Sequence, residues 1–520
     1  MPSVGAWKAS RKKLVADKLG ASPPRSGHRR SRVEVSQHRS RELQLLGCSQ
    51  TIAAVDALPT ATPQKALALN LDRSKYGTIA EIGAGQEVAR WFFRVGAAAG
   101  TVAKSMSAYD MAVSDAIYGS APRYVSRQRL QAMLDHEFTL LRDRLDASRG
   151  ATTAFFAFAD TVATRSYTHA EDGRGWVGVR FQRRPREAPS DILIHAHLKD
   201  ITAMHQQEAL GVLGVNLIYG AYHRHAEPAA LAGSLMDELS RERLEVDMIK
   251  FSGPAFEGVD NRLMSLQLVE QGLTDTAMFT ADGEVVQPSE VLYKKPILVE
   301  RGSFRPATNL TLDILAGARA QFVEEPAVRG QEPVVLMEMT LRNLTSEAGV
   351  DHADFLARAD ILGALGFDVL ISRFGQYYRL VDYLAAYTDK PIGIAAGLPS
   401  ITEIANERYY DNLAGGMLES IGRLFKRSVR MYVYPLRDAA AGHVVTVETL
   451  PVTGAWRHLR DFLLESGHLV PIHRYDELLL TISTKDVLAR IQSGDPGWEA
   501  MVPPAVADTI KAKRLFGSNP

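Results

Sequence analysis

The chain is 520 residues long, too long for one ordinary hydrophobic core, so roughly two to four domains are expected. A hydrophobic content of 46% with 23% charged residues is that of a globular protein and excludes a wholly disordered or fibrous chain. Sixty Lys and Arg against 60 Asp and Glu leave a formal net charge of +0, which excludes a protein built mainly to coat nucleic acid.

The single cysteine, Cys48, excludes an internal disulfide framework and a multi-cysteine zinc site, and makes the reducing cytoplasm the expected compartment. No run approaches the ~20 apolar residues that cross a bilayer. The longest, at 151–159 and 210–219, are core-sized, so no membrane span is expected. The first fifty residues hold eleven Lys/Arg and three acids, with Ser, Pro and His between them. Such a segment buries too little apolar area to offset chain entropy, so 1–72 is expected to be a disordered basic tail. Its Arg/Ser-rich, acid-poor composition fits an organelle targeting segment, and a plain basic tail or an upstream start codon chosen in error explains it equally well.

The first α/β domain is expected over 73–290. Gly77-Thr-Ile-Ala-Glu-Ile-Gly83-Ala-Gly85-Gln86 reads as a strand, a glycine turn and a helix running to Arg94. Leu130, Met133, Leu134, Phe138 and Leu141 recur at helical spacing within 125–145. Residues 151–160 and 191–198 are strand-like, 204–221 is a buried helix, and Ala281-Asp-Gly283-Glu is a turn before Val285-Val286. From Lys295 apolar strands alternate with helices: 295–300, 334–339, helix 354–365, 368–372, helix 377–387, 392–395, helix 418–425, 430–434. That rhythm predicts a doubly wound, mostly parallel sheet in a second α/β domain over 291–517.

The turn Gly83-Ala-Gly85 has neither a third glycine in Rossmann spacing, since Val88 stands there, nor a Walker lysine. A tight strand–helix connection is the expectation. His195 and His197 are two apart on a strand and therefore share a face, and His223 and His225 repeat the spacing near Glu208 and Glu227. Facing imidazoles suit a divalent metal, but no third ligand stands at a known spacing. They are read as core or surface histidines, and no metal ligand is assigned. Arg373 and the Gly397 turn fall at the carboxyl ends of strands, where α/β sheets bind ligands.

The strand at 295–300 runs into Arg301-Gly302-Ser303-Phe304-Arg305-Pro306-Ala307-Thr308-Asn309-Leu310-Thr311-Leu312. Glycine permits close backbone approach, Thr308 or Asn309 can cap the helix that follows, and a helix N-terminus there suits an anion. Gly-Ser-Phe-x-Pro-x-Thr-Asn-x-x-Leu resembles the opening motif of nicotinamide or nicotinate mononucleotide adenylyltransferases. A later segment, 468–488, resembles that family's strand and Ile-Ser-Ser-Thr phosphate loop through Ile482-Ser483-Thr484-Lys485, with Gly494, Trp498, Met501-Val502-Pro503, Val506 and Ile510 following.

The resemblance implies a nucleotidylyltransferase-like, Rossmann-like domain of NAD biosynthesis that takes ATP and a mononucleotide, with Mg²⁺, and releases pyrophosphate. It assigns Gly302, Ser303, Phe304 and Thr308 to one phosphate cradle and Ser483 and Thr484 to a second. The chain departs from the pattern in two places. Thr311 stands at the family's histidine and Leu488 at its arginine, and both losses fall on charge stabilisation. Lys485, with Arg490 or Arg301, is the candidate substitute cation, so Thr311 and Lys485 are the candidate catalytic positions. Two functions follow: an adenylyltransferase, or a nucleotide-binding sensor or assembly protein that no longer catalyses. The expected partner is a small nucleotide, with neither nucleic acid nor membrane, and a homo-oligomer is left open.

Overall fold

The computed structural model describes residues 58–165, 173–347, 349–426, 428–438, 442–452 and 454–518. Most of the basic tail, with Cys48, lies outside them. Residues 58–520 form one compact unit.

The first sheet comprises β1 (Lys75–Ile82), β2 (Val102–Ser107), β3 (Ala154–Ala163), β4 (Gly173–Phe181), β5 (Ser190–Leu198) and β6 (Leu244–Ser252), in the order β2-β1-β3-β4-β5-β6. β1 pairs parallel with β2 and β3, and the rest of the sheet is antiparallel. Around it run helices α1 (Thr62–Leu71), α2 (Gln86–Arg94), α3 (Arg127–Arg149) and α4 (Ala203–His223). Phe155 of β3 packs with Leu130, Leu134 and Phe138 of α3, while Phe156 and Phe158 join the cluster of α2 and α4. Both faces of β3 are thus covered, which explains its unbroken apolar run. Each fully buried phenylalanine contributes about 1.5–3 kcal/mol.

α1 corrects the expected extent of the tail. Ala66 and Leu69 are fully buried, and Lys65 Nζ, itself buried, donates to Asn216 Oδ1 at 2.7 Å and Asp237 Oδ2 at 2.6 Å. These apolar contacts and the doubly bonded lysine dock the helix on α4, and Thr62 adds hydrogen bonds to Glu238.

The second sheet comprises β7 (Thr276–Phe279), β8 (Val285–Val286), β9 (Ile297–Arg301), β10 (Val334–Thr340), β11 (Asp368–Ser372), β12 (Ile392–Gly397), β13 (Val429–Tyr434) and β14 (Leu469–Pro471). Its order is β14-β13-β12-β9-β10-β11-β7-β8. β9 to β14 are parallel, and in chain order they stand third, second, first, fourth, fifth, sixth. The strand order therefore reverses between β9 and β12. β7 and β8 extend the sheet antiparallel, with the turn at Ala281–Glu284 between them, upstream of residue 291.

Helices cover both faces: α5 (Asn309–Phe322) and α6 (His352–Ala364) on one, α7 (Tyr377–Leu384) and α8 (Leu398–Ile404) on the other. α9 (Thr484–Ser493) follows β14. Glu284 links the sheets by accepting from Arg127 at 2.8 Å and Lys250 at 2.5 Å. Among the described residues no helix is long and apolar enough to cross a membrane.

Candidate functional site

In open α/β sheets ligands bind beyond the carboxyl ends of the strands, where the strand order reverses. Here that point lies between the ends of β9 and β12, and the Gly302–Thr308 loop and the N-terminus of α5 stand over it. The loop is held from several sides. Gly302 N–H donates to the Glu338 carbonyl at 3.1 Å, and the Ser303 carbonyl accepts from Arg358 Nη1 of α6 at 3.1 Å. Arg305 pairs with Asp354 at 2.5 Å.

Phe304 is buried at a positive φ of 48°, and its ring folds back over Gly302. A Cβ at 302 would lie 2.7 Å from that ring, so glycine is needed there for Phe304. Thr308 is the N-cap of α5. Its Oγ1 accepts from Thr311 N–H at 3.3 Å, and Thr311 Oγ1 accepts from Thr308 N–H at 3.2 Å. This capping box uses both hydroxyls. Thr311, placed where an adenylyltransferase histidine was expected, is a buried capping residue.

Two charged neighbours at the end of β9 point to opposite faces, as strand alternation requires. Glu300 sits between Met337 of β10 and Ala395 of β12 on the α5 side. It is buried, with one carboxylate oxygen lacking a hydrogen-bond partner, and burial pushes its pKa well above the ordinary range. Arg301 lies directly across from Glu338 and meets it in a two-pronged pair at 2.7 and 2.9 Å. Ser372 Oγ donates to the same carboxylate at 2.6 Å, and the guanidinium lies 4.3 Å over the Tyr377 ring. Arg301 is therefore spoken for and is no free cation for a phosphate.

The late motif reaches the flank of α5. Asp476 N–H donates to Asp313 Oδ2 at 3.0 Å, and Asn309 Nδ2 donates to the Ala500 carbonyl at 3.0 Å. Ser483 caps α9 without a side-chain bond and is exposed, Thr484 is half-buried and Lys485 is exposed. Among the described residues no hydrogen bond joins these three to the Gly302–Thr311 segment. Arg490 pairs with Asp486 and Asp495, which occupies the other substitute cation.

The first glycine turn is shut by carboxyl groups. Gly85 N–H donates to Glu81 Oε2 at 3.1 Å, and fully buried Asp160 presses against Gly85 with both its oxygens unpartnered. Burial and the nearby Glu81 push the Asp160 pKa well above the ordinary range. These carboxyl groups disfavour a phosphate at the turn, in keeping with a tight strand–helix connection.

His195 and His197 do share a face, and Asp247 of β6, an acid that no local pattern singles out, reaches both. Burial opposes ionisation of Asp247, but the two imidazoles more than offset it and hold its carboxyl well below the usual range. His223 stacks on Tyr219 at 4.2 Å.

No protein-family model matches the chain, and no curated protein matches it. Solved structures with local similarity include the competence/damage inducible protein CihA of Agrobacterium tumefaciens, at 15% identity, covering 30% of this chain and 93% of that one with a TM-score of 0.22. The competence-damaged protein (CinA) superfamily protein of Enterobacter cloacae matches at 14% identity over 34% and 99%, TM-score 0.22. The corresponding protein of Klebsiella pneumoniae matches at 12% identity over 30% and 96%, TM-score 0.20. Likenesses this slight assign neither fold nor activity.

One expectation is corrected. No family model and no curated protein supports the adenylyltransferase resemblance, and none of these solved structures is a nicotinamide or nicotinate mononucleotide adenylyltransferase, so the resemblance is set aside. The residues that suggested it have local duties instead: Gly302 accommodates Phe304, and Thr308 and Thr311 cap α5.

Proposed function

We propose that the chain binds a nucleotide or similar phosphorylated small molecule at the crevice between β9 and β12. The observation carrying this reading is the reversal of strand order, with the α5 N-terminus and the buried, half-unpartnered Glu300 carboxyl on the same side of the sheet. The helix N-terminus offers backbone N–H groups to a phosphate. A neutral Glu300 offers an O–H donor that would not repel it.

The crevice carboxylates do not suit Mg²⁺: Glu338 is consumed by Arg301 and Ser372, and Glu300 resists ionisation. Arg301 and Arg490, two of the three candidate substitute cations, are held by carboxylates, which favours binding over adenylyl transfer.

Gly397, at the end of β12, provides the test. It lies on the Glu300 face two residues beyond Ala395, and a Cβ there meets only Pro399 Cδ, at an ordinary 3.5 Å. Gly397→Leu should fold and fill the crevice. Calorimetry of the full chain with ATP and with a pyridine mononucleotide should show binding that Gly397→Leu weakens ~10-fold or more, or about 1.4 kcal/mol. Absence of binding by the native chain at ~1 mM ligand, near 4 kcal/mol, would sink the reading. Pyrophosphate release above the Gly397→Leu background would instead establish adenylyl transfer.

A further inference from the structure

We propose that His195, His197 and Asp247 form a binding site for a divalent first-row transition metal, with an open coordination position facing a half-open pocket. The site is independent of the crevice between β9 and β12.

Its construction begins with register. Along β5 and β6, His197 faces Glu245 and Ala196 faces Val246, but His195 faces Met248, so Asp247 is the extra residue of a β-bulge. Bulges re-aim side chains, and this one puts Asp247 on the face that alternation gives to both histidines. His195 Nδ1 lies 2.6 Å from Asp247 Oδ1, and His197 Nε2 lies 2.9 Å from Asp247 Oδ2. One donor atom from each residue falls within 4.8 Å of the other two.

Two imidazoles and one carboxylate are the donor set of catalytic zinc and non-haem iron sites, and they disfavour Mg²⁺ and Ca²⁺, which prefer all-oxygen shells. Metal–ligand bonds of ~2.0–2.2 Å require the three atoms to part only slightly from their hydrogen-bonded spacing. Binding displaces the protons now shared with Asp247, leaving each imidazole protonated on its other nitrogen. The surroundings hold the ligands in place: Gln287 Nε2 donates to Asp247 Oδ2 at 3.3 Å, and the Trp176 ring packs edge-on to His195 at 5.0 Å. Such outer contacts fix ligand orientation.

A cavity of about 200 Å³ opens on His197 and Asp247 and is lined further by Glu245, Thr274, Tyr383 and Tyr387. At ~30 Å³ per water it has room for solvent or a small ligand on the metal. Three protein ligands with an accessible fourth position distinguish a catalytic from a closed structural site.

The test uses the tag-free full chain, freed of metal with a chelator and titrated with Zn²⁺ and with Co²⁺. One equivalent should bind, and Co²⁺ should give visible d–d absorption. His195→Gln, His197→Gln and Asp247→Asn should each weaken binding roughly 100-fold or more, since even outer-contact changes cost ~10–100-fold. The exposed His205→Gln should not weaken it. Zinc-edge X-ray absorption on the native chain should show imidazole scattering from two histidines, a result that does not depend on any variant folding. Failure of the native chain to bind either ion, binding unchanged in all three variants, or a zinc shell without imidazole would overturn the site and leave an aspartate hydrogen-bonded to two histidines, of structural use only.

Discussion

Glu300→Gln tests whether the buried carboxyl is neutral. The substitution keeps shape and removes ionisation. In the native fold burial raises the pKa of Glu300, whereas in the unfolded chain it takes its ordinary value. Above that ordinary value the unfolded chain has lost the proton and the folded chain has kept it, so stability falls as pH rises. The slope is about 1.4 kcal/mol per pH unit until the folded carboxyl itself ionises. Glu300→Gln should therefore gain on the native protein as pH rises above the ordinary carboxyl range, until the folded carboxyl itself ionises. A fixed cost for exchanging O–H for N–H₂ shifts the comparison without tilting it. His197 and Asp160 also titrate unusually but are common to both proteins and cancel. Guanidinium unfolding at pH 5, 6 and 7, followed by circular dichroism, supplies the free energies. Parallel pH dependences for the two proteins would refute the neutral-carboxyl argument and remove the donor from the proposed crevice.

Two further outcomes can be measured in the same way. Glu338→Ala strands the buried Arg301 guanidinium and should cost about 3–5 kcal/mol, while Arg301→Met/Glu338→Leu should recover most of it; a loss under ~1 kcal/mol in the single variant would contradict the pairing. Gly85→Ala sets a Cβ 1.9 Å from Asp160 Oδ2 and 2.6 Å from Glu81 Cβ, and should destabilise by ~1–3 kcal/mol, whereas an unchanged urea midpoint would show that the turn has room.

Much of the second sheet was legible because parallel strands covered on both faces are unbroken apolar runs. The strand 368–372 and the helices beginning near 354 and 377 stand where periodicity put them. β2 and β4 were not marked. Val-Ala-Lys-Ser-Met-Ser is partly solvent-facing, and the glycines of Gly-Arg-Gly-Trp-Val-Gly resemble turn residues until neighbouring strands cover them. Strand order is invisible to local pattern altogether, since β9 must pair with β12 almost a hundred residues later. The same distance hid the charged network: Glu338 lies 37 residues beyond Arg301, and Ser372 another 34. Asp247 was missed for a related reason. Leu-Glu-Val-Asp-Met-Ile alternates in the ordinary way, and its bulge exists only in register with β5.

The residues that suggested a known enzyme differ in kind from those that now suggest a site. Gly302, Thr308 and Thr311 solve a general problem: a strand must end, the chain must turn, and a buried helix must have its first N–H groups satisfied. A glycine under an aromatic ring and a reciprocal pair of threonine caps answer it whether or not a phosphate ever arrives. Short motifs of this sort recur because the backbone imposes them. Glu300 solves no such problem. A leucine would fill its place in the sheet without leaving a carboxylate oxygen unpartnered, and a buried polar group without a partner costs about 1–3 kcal/mol. His195, His197 and Asp247 likewise replace apolar neighbours on a face that otherwise carries Leu193 and Met248. By that measure the proposed crevice and the histidine cluster differ from the Gly302 turn, whose residues answer local constraints, whereas the first glycine turn keeps a costly carboxyl of its own in Asp160.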